Sequence, residues 1–427
     1  MKGKSTACRR KVALALAGGG AHSAFTWGVL QFLLDDLKDR IEIAAISGTS
    51  GGAMNATMLA CGLGSDTPDP AAAARELLDE FWLETSLTGD LWANPYRHVP
   101  NPLWPFWNTD ATPVTTLLNM TSSFLAPAQW TPLHRNPLRL LLLRLIDFDR
   151  LNHGTSVPDL YVCATNVRTC QLKVFKRPHL GPDALCASAC LPTLDWPVVI
   201  NGEPYWDGGY RADPAISPLL EAPRMAPAKT KARSVPVDED PIDVLLVGIN
   251  PLIRDDVPLT AWQIIDRVNE ISLNSSVIDE VKRIMMTNKM LDSIDRLKPA
   301  VKRQVKAIEP PQDKRQVRLH FIEDEKGMAP LGVATKNNTT FAFLDMLREM
   351  GYRSAKCWWE KEGGSRDFDD PRSNHWRDKI EERFIDRHHW KSATVPPRHP
   401  AEMHTSVATL ATATGDAAAA IAEVARR

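Results

Sequence analysis

Nowhere in the chain do eighteen or more apolar residues run together, so no segment suits a membrane-crossing helix. The most apolar stretch, Leu138–Ile146, is interrupted by Arg139 and Arg144. Excess charge of one sign is lacking too. Lys and Arg number 51 against 52 Asp and Glu, which removes the electrostatic footprint of a nucleic-acid binder. Seven cysteines in 427 residues, odd in number and irregularly spaced, argue against a disulfide framework and fit a reducing compartment. Cys163 and Cys170, and Cys186 and Cys190, lack the partners of a zinc knuckle and read as inert thiols. His375, His388 and His389 have no acidic partners at ligand spacing, so no metal site is expected. The basic leader (Lys2, Lys4, Arg9, Arg10, Lys11) precedes an apolar run, Val12–Ala17, too short for a signal-peptide core. The expectation is a cytoplasmic protein open to peripheral membrane contact.

What is present is concentrated in residues 12–60. Val12–Ala17 is a short apolar run that breaks at Gly18-Gly19-Gly20. A second apolar run ends at Gly48-Thr49-Ser50-Gly51-Gly52, followed by the helix-forming Ala53–Ala60. Strand, sharp turn carrying serine, then helix is the context in which G-x-S-x-G has meaning. Glycines 48 and 52 keep the turn tight, and the helix after Ser50 directs its positive end at the serine. Backbone N–H groups of Gly18, Gly19 and Gly20 suit an oxyanion hole, because a loop without side chains lets a substrate come close. The pattern is neither G-x-G-x-x-G nor a P-loop. Far downstream, Tyr205-Trp206-Asp207-Gly208-Gly209 places an aspartate at the end of a short strand. There Asp207 could take the Ser50 proton directly as a general base; alone, Asp-Gly is also a common turn pair.

In that order, Gly18-Gly19-Gly20, Gly48-Thr49-Ser50-Gly51-Gly52 and Asp207-Gly208-Gly209 resemble the patatin-like phospholipase family over about residues 10–220. The resemblance implies a three-layer α/β/α fold and a Ser–Asp dyad without histidine. It implies Ser50 as nucleophile, Asp207 as base, Gly18–Gly20 as oxyanion loop and a lipid ester as substrate, phospholipid or lysophospholipid. No cofactor is needed. Neutral-lipid, short-chain or polyhydroxyalkanoate-type esterase activity, transacylation, or non-catalytic lipid binding are the alternatives. Many members follow the glycines with a basic residue and another glycine; this chain has His22 and Ser23. His22 reads either as a wall of the site, or third catalytic member, or as a helix-start residue bonded to backbone.

The mainly parallel sheet of the expected α/β fold follows from strands alternating with helices without hairpin codes. Residues 1–11 read as a disordered leader and 12–250 as the catalytic domain. That domain includes a Trp- and Pro-rich insertion at 81–137 and a polar linker at 221–240. The insertion is either a lid or lipid-docking surface, or an irregular cap with its aromatics packed inside. Asp183–Leu191 reads as a small-residue helix, and Asp213 as a turn or helix-cap residue. Residues 251–400 form a mostly helical appendage with one further strand at Val317–Ile322. Its stripe of Ile264, Ile265, Val268, Ile271, Val277, Val281, Ile284 and Met285 reads as core rather than partner groove. Residues 401–427 are an Ala- and Thr-rich tail, disordered or weakly helical.

Overall fold

A computed structural model describes residues 9–88, 136–192, 195–225, 241–254, 257–297, 315–370, 373 and 375–385. Most of the 81–137 insertion, the linker from 226, residues 1–8 and the 401–427 tail lie outside the described residues.

The chain enters through β1 (Arg10–Leu16), a 3-10 turn (Gly20–Ser23), α1 (Ala24–Asp36), β2 (Ile41–Thr49), α2 (Gly51–Leu63) and α3 (Pro70–Thr88). It continues with α4 (Pro137–Leu145), α5 (Phe148–His153), β3 (Asp159–Asn166), β4 (Leu172–Lys176) and α6 (Pro182–Ser188). Then come β5 (Val198–Ile200), β6 (Glu203–Asp207), α7 (Ser217–Leu220), β7 (Ile242–Val247), α8 (Ala261–Asp295) and β8 (Val317–Ile322). The helices α9 (Glu325–Met328), α10 (Phe341–Glu360), α11 (Gly364–Asp369) and α12 (His375–Ile380) follow. The sheet runs β5-β6-β3-β2-β1-β7-β8, with β4 also paired to β3. The strands β3-β2-β1-β7-β8 are mutually parallel; β4, β5 and β6 add antiparallel pairings at the other end. This is the expected α/β/α architecture with a helical C-terminal region.

Alternation along β1 sorts the two faces. Val12, Leu14 and Leu16 enter one core with α1, α2, α3 and α10, while Ala13 and Ala15 enter the other with α7, α8 and α12. A strand buried on both faces reads as a continuous apolar run. α1 is buried almost all round, because it lies between the sheet, α3 and α10. Gly28 and Gly351 make that crossing possible. A Cβ at Gly28 would overlap the Arg348 carbonyl oxygen, and one at Gly351 the Phe25 carbonyl oxygen.

The leader is shorter than expected, because β1 already starts at Arg10. The Arg10 Nε meets buried Asp243 Oδ2 at 2.6 Å. Burial works against the Asp243 charge, but bonds from His320, Arg318 and Arg10 outweigh it and hold the carboxyl below its usual range. The stripe on α8 divides in two. Val277, Val281, Ile284 and Met285 are core, whereas Ile264, Ile265, Val268 and Ile271 are about half exposed, at 47%, 52%, 57% and 55%. Periodicity makes a face but does not say how far the sheet beneath it reaches. Among the described residues, no helix is long and apolar enough to cross a membrane.

Candidate active site

The chain goes from β1 to β2 on one side and returns as β7 on the other, so β1 marks the point where strand order reverses. Crevices outside the carboxyl ends of strands at such a point are where open α/β sheets bind ligands. Gly18–Gly20 follow β1 there, and Ser50 follows β2.

Ser50 has φ 53° and ψ −127°, outside the ordinary regions for a side-chain-bearing residue. The strain is held by its surroundings. Its N–H donates to Ser188 Oγ at 3.0 Å, and Ser188 Oγ donates to the Cys163 carbonyl at 2.6 Å. A Cβ at Gly48 or Gly52 would collide with backbone carbonyls, of Gly52 and Leu16 respectively, so the elbow admits only glycine at both. α2 starts immediately after Ser50 and directs its N-terminal dipole at it.

Asp207 ends β6, where Ala164 pairs with it across the ladder. It is 5% exposed. Its N–H donates to the Cys190 carbonyl at 2.8 Å, its carbonyl accepts from Thr165 Oγ1 at 2.8 Å, and its Oδ1 accepts the Gly209 N–H at 2.7 Å. Burial pushes this carboxyl up to about 6, and the Gly209 N–H, the nearby Ser50 hydroxyl and the charge of Lys336 only partly offset that. Ser50 and Asp207 thus lie at the same end of the sheet, on either side of the end of β3.

The glycine loop differs in detail from the expectation of three equivalent donors. The Gly18 N–H is turned inward onto Asp213 Oδ1 at 2.5 Å, so it is committed to a carboxylate. Gly20 has φ 57°, a left-handed conformation that suits glycine. His22 lies beside the loop with its N–H bonded to the Gly19 carbonyl at 3.1 Å. Its Nε2 meets Thr335 Oγ1 at 2.7 Å, and its ring tilts against Phe343 at 6.1 Å between centroids. Burial, then the charge of Lys336, holds His22 well below its ordinary value, so it stands neutral at pH 7.

Asp213 is the residue that sequence reasoning undervalued. It is 3% exposed and receives Asn250 Nδ2 at 3.3 Å as well as Gly18. Burial pushes it up to about 7, opposed by the Gly18 N–H and aided by the neighbouring Asp207 charge. Its place six residues beyond Asp207, before a proline, carried no chemical signal of its own. Asn250 at the end of β7 and Lys336 in a late 3-10 turn were also unmarked.

Residues 14–220 match the patatin-like phospholipase family. No curated protein matches the chain. Among solved structures, VipD from Legionella pneumophila is similar at 14% identity, over 80% of this chain and 67% of VipD, with a TM-score of 0.30. The ExoU–SpcU complex of the Pseudomonas aeruginosa type III secretion system is similar at 20% identity. That match covers 64% of this chain and 52% of that one, with a TM-score of 0.26. The matched span contains the loop glycines, Ser50, Asp207 and Asp213. Asn250, which bonds Asp213, and Lys336, which bonds Asn250, lie past that span.

Proposed function

We propose that the protein is a serine lipid acyl hydrolase that cleaves carboxylic esters of phospholipids or lysophospholipids, with Ser50 as nucleophile and Asp207 as general base. The observation that supports this reading is that β2 and β6 flank β3, with Thr49 paired to Cys163 and Asp207 to Ala164, so that strained Ser50 and buried Asp207 come to the same end of the sheet. Ser50 Oγ attacks the ester carbonyl carbon while Asp207 takes its proton. Negative charge gathers on the carbonyl oxygen and is met by the N–H groups of Gly19 and Gly20, since that of Gly18 is occupied by Asp213. The carbonyl re-forms, and the lysolipid or glycerol oxygen leaves with the proton from Asp207. Water then attacks the acyl-enzyme, gives its proton to Asp207, and the fatty acid departs as Ser50 recovers its hydroxyl. Neutral His22 stands outside this proton path.

Peripheral contact with a lipid surface is the partner we assign. It is supported by the exposed apolar face of Ile264, Ile265, Val268 and Ile271 on α8. The same helix reaches the site. Leu273 lies against Gly209, and Ser276 Oγ accepts the Asp213 N–H at 3.3 Å.

Fluorophosphonate labelling tests the reading. The wild type is expected to label at Ser50, and Ser50→Ala to lose both label and turnover while keeping its circular dichroism. Turnover retained in Ser50→Ala would overturn the assignment.

A further inference from the structure

We propose that Lys336 is a positioning residue of the hydrolytic site, holding the glycine loop through Asn250 and Asp213 and setting its positive charge against the buried carboxylate pair. The inference rests on the Ser50–Asp207 reading above.

The first argument is a chain of bonds. Lys336 Nζ donates to Asn250 Oδ1 at 2.9 Å. Asn250 Nδ2 donates to Asp213 Oδ2 at 3.3 Å, and Asp213 Oδ1 receives the Gly18 N–H at 2.5 Å. Only one orientation of the Asn250 amide satisfies both neighbours, because an ammonium only donates and a carboxylate only accepts. The side chain that transmits the contact therefore has one way to sit. The backbone of the same turn grips the loop a second time. A Cβ at Gly20 would come within 2.5 Å of the Lys336 carbonyl oxygen, and Thr335 holds the His22 ring. Residues 335 and 336 thus hold the loop at Gly18, Gly20 and His22.

The second argument is charge. An ammonium drawn out of water is costly unless opposite charge faces it. Asp213, Glu270, Asp266 and Asp207 face Lys336, and His22 beside it is neutral. Glu270 on α8 is already engaged by Arg254 and Arg267, and Asp266 Oδ1 accepts the Val333 N–H. Cys190 and Tyr210 flank Asp207 as neutral groups, both raised by burial. Of the four carboxylates, Asp213 acts on Lys336 most strongly, and Asp207 completes the set. Two carboxylates that share a buried site disfavour each other's ionisation, and a cation beside them restores it. Desolvation in turn pulls the Lys336 ammonium below its ordinary range, with Asp213 its foremost opposing support.

The test compares wild type, Lys336→Met, Lys336→Gln and Asn250→Ala by the pH dependence of fluorophosphonate labelling and of hydrolysis of a soluble p-nitrophenyl ester. Lys336→Met is expected to lower kcat about tenfold or more with KM little changed. It should also move the acid limb of the profile upward by about one pH unit, since a carboxylate that loses a facing cation protonates more readily. Lys336→Gln keeps a donor for Asn250 without the charge, and should recover part of kcat but not the limb. Asn250→Ala should lower kcat and leave the limb near its wild-type place. If Lys336→Met does not fold, the glutamine and alanine variants still separate holding from charge. A wild-type profile in folded Lys336→Gln overturns the charge role, and wild-type kcat in Asn250→Ala overturns the holding role. A wild type that never labels sinks the Ser50–Asp207 reading and this inference with it.

Discussion

Gly18 donates its backbone N–H to the Asp213 carboxylate at 2.5 Å, which joins the loop after β1 to the segment just beyond Asp207. The two stretches that flank Ser50 are thereby tied to each other. Displacing either one moves both Asp207 and the glycine loop, the proposed base and the proposed oxyanion donors.

In the proposed mechanism Asp207 has to be ionised to accept a proton, and burial holds it up at about 6. The value of kcat/KM on a soluble ester should therefore rise with pH through about 6 and level off above about 7. Initial rates from pH 4.5 to 8.5 check this, and a flat profile across pH 5–7 would contradict it.

The same displacement makes a stability statement. Between the ordinary carboxylate value of 3.8 and about 6, the folded chain keeps a proton on Asp207 that the unfolded chain has released. Stability therefore falls as pH rises through that window, and the cost remains above it. Asp207→Asn removes the cost and should raise the unfolding free energy at pH 8 by on the order of 1–3 kcal/mol, with little change at pH 4. Urea denaturation at the two pH values decides it; equal effects at both would refute the linkage.

His22→Ala should reduce turnover less than about tenfold but lower stability by about 1–3 kcal/mol, because it leaves Thr335 and Phe343 facing a gap. Rate and chemical denaturation on the same preparation separate the two effects. A rate loss as large as that of Ser50→Ala would place His22 in the chemistry.

The crossing of α1 and α10 has its own test. Gly28→Ala pushes a methyl into the Arg348 carbonyl and should cost about 2 kcal/mol or more, or prevent accumulation of folded protein. Gly181→Ala is the control, since nothing lies within 4 Å of the added atom there. Its effect should stay within about 0.5 kcal/mol.

The double variant Ile265→Ser, Val268→Ser removes apolar surface from the exposed half of α8. Hydrolysis of phosphatidylcholine vesicles should fall more than about fivefold, while a soluble short-chain ester is cleaved within about twofold of wild type. Equal losses on both substrates would remove the membrane-contact reading.

How much of this was legible in the sequence depends on how local each requirement is. Gly48, Gly52 and Ser50 announce themselves because a tight strand–turn–helix leaves no room for a Cβ within its own few residues. Asp207-Gly208-Gly209 is similarly local, and the order of the motifs placed it opposite Ser50. Asp213, Asn250 and Lys336 have no such signature. Their roles arise only when the end of β7 and a turn near residue 335 meet beneath the loop. Arg10 looked like part of a loose basic leader, because its partner Asp243 is brought beside it by the parallel register of β1 and β7. The two halves of the α8 stripe share one period, and only the extent of the sheet beneath them decides which half is covered.

The position of β1 bears on how the chain comes to be made. Its residues pair on one side with β2, and on the other with β7, so that Val12 meets Asp243. Synthesis at ordinary rates separates those partners by roughly ten to fifty seconds. Through that interval the uncharged run Val12–Leu16 keeps one edge open, and an open apolar strand edge is a template for another chain. Newborn chains are thus open to sticking together at the strand from which the glycine loop grows, and the yield of folded protein should respond to chaperones that cover apolar strands.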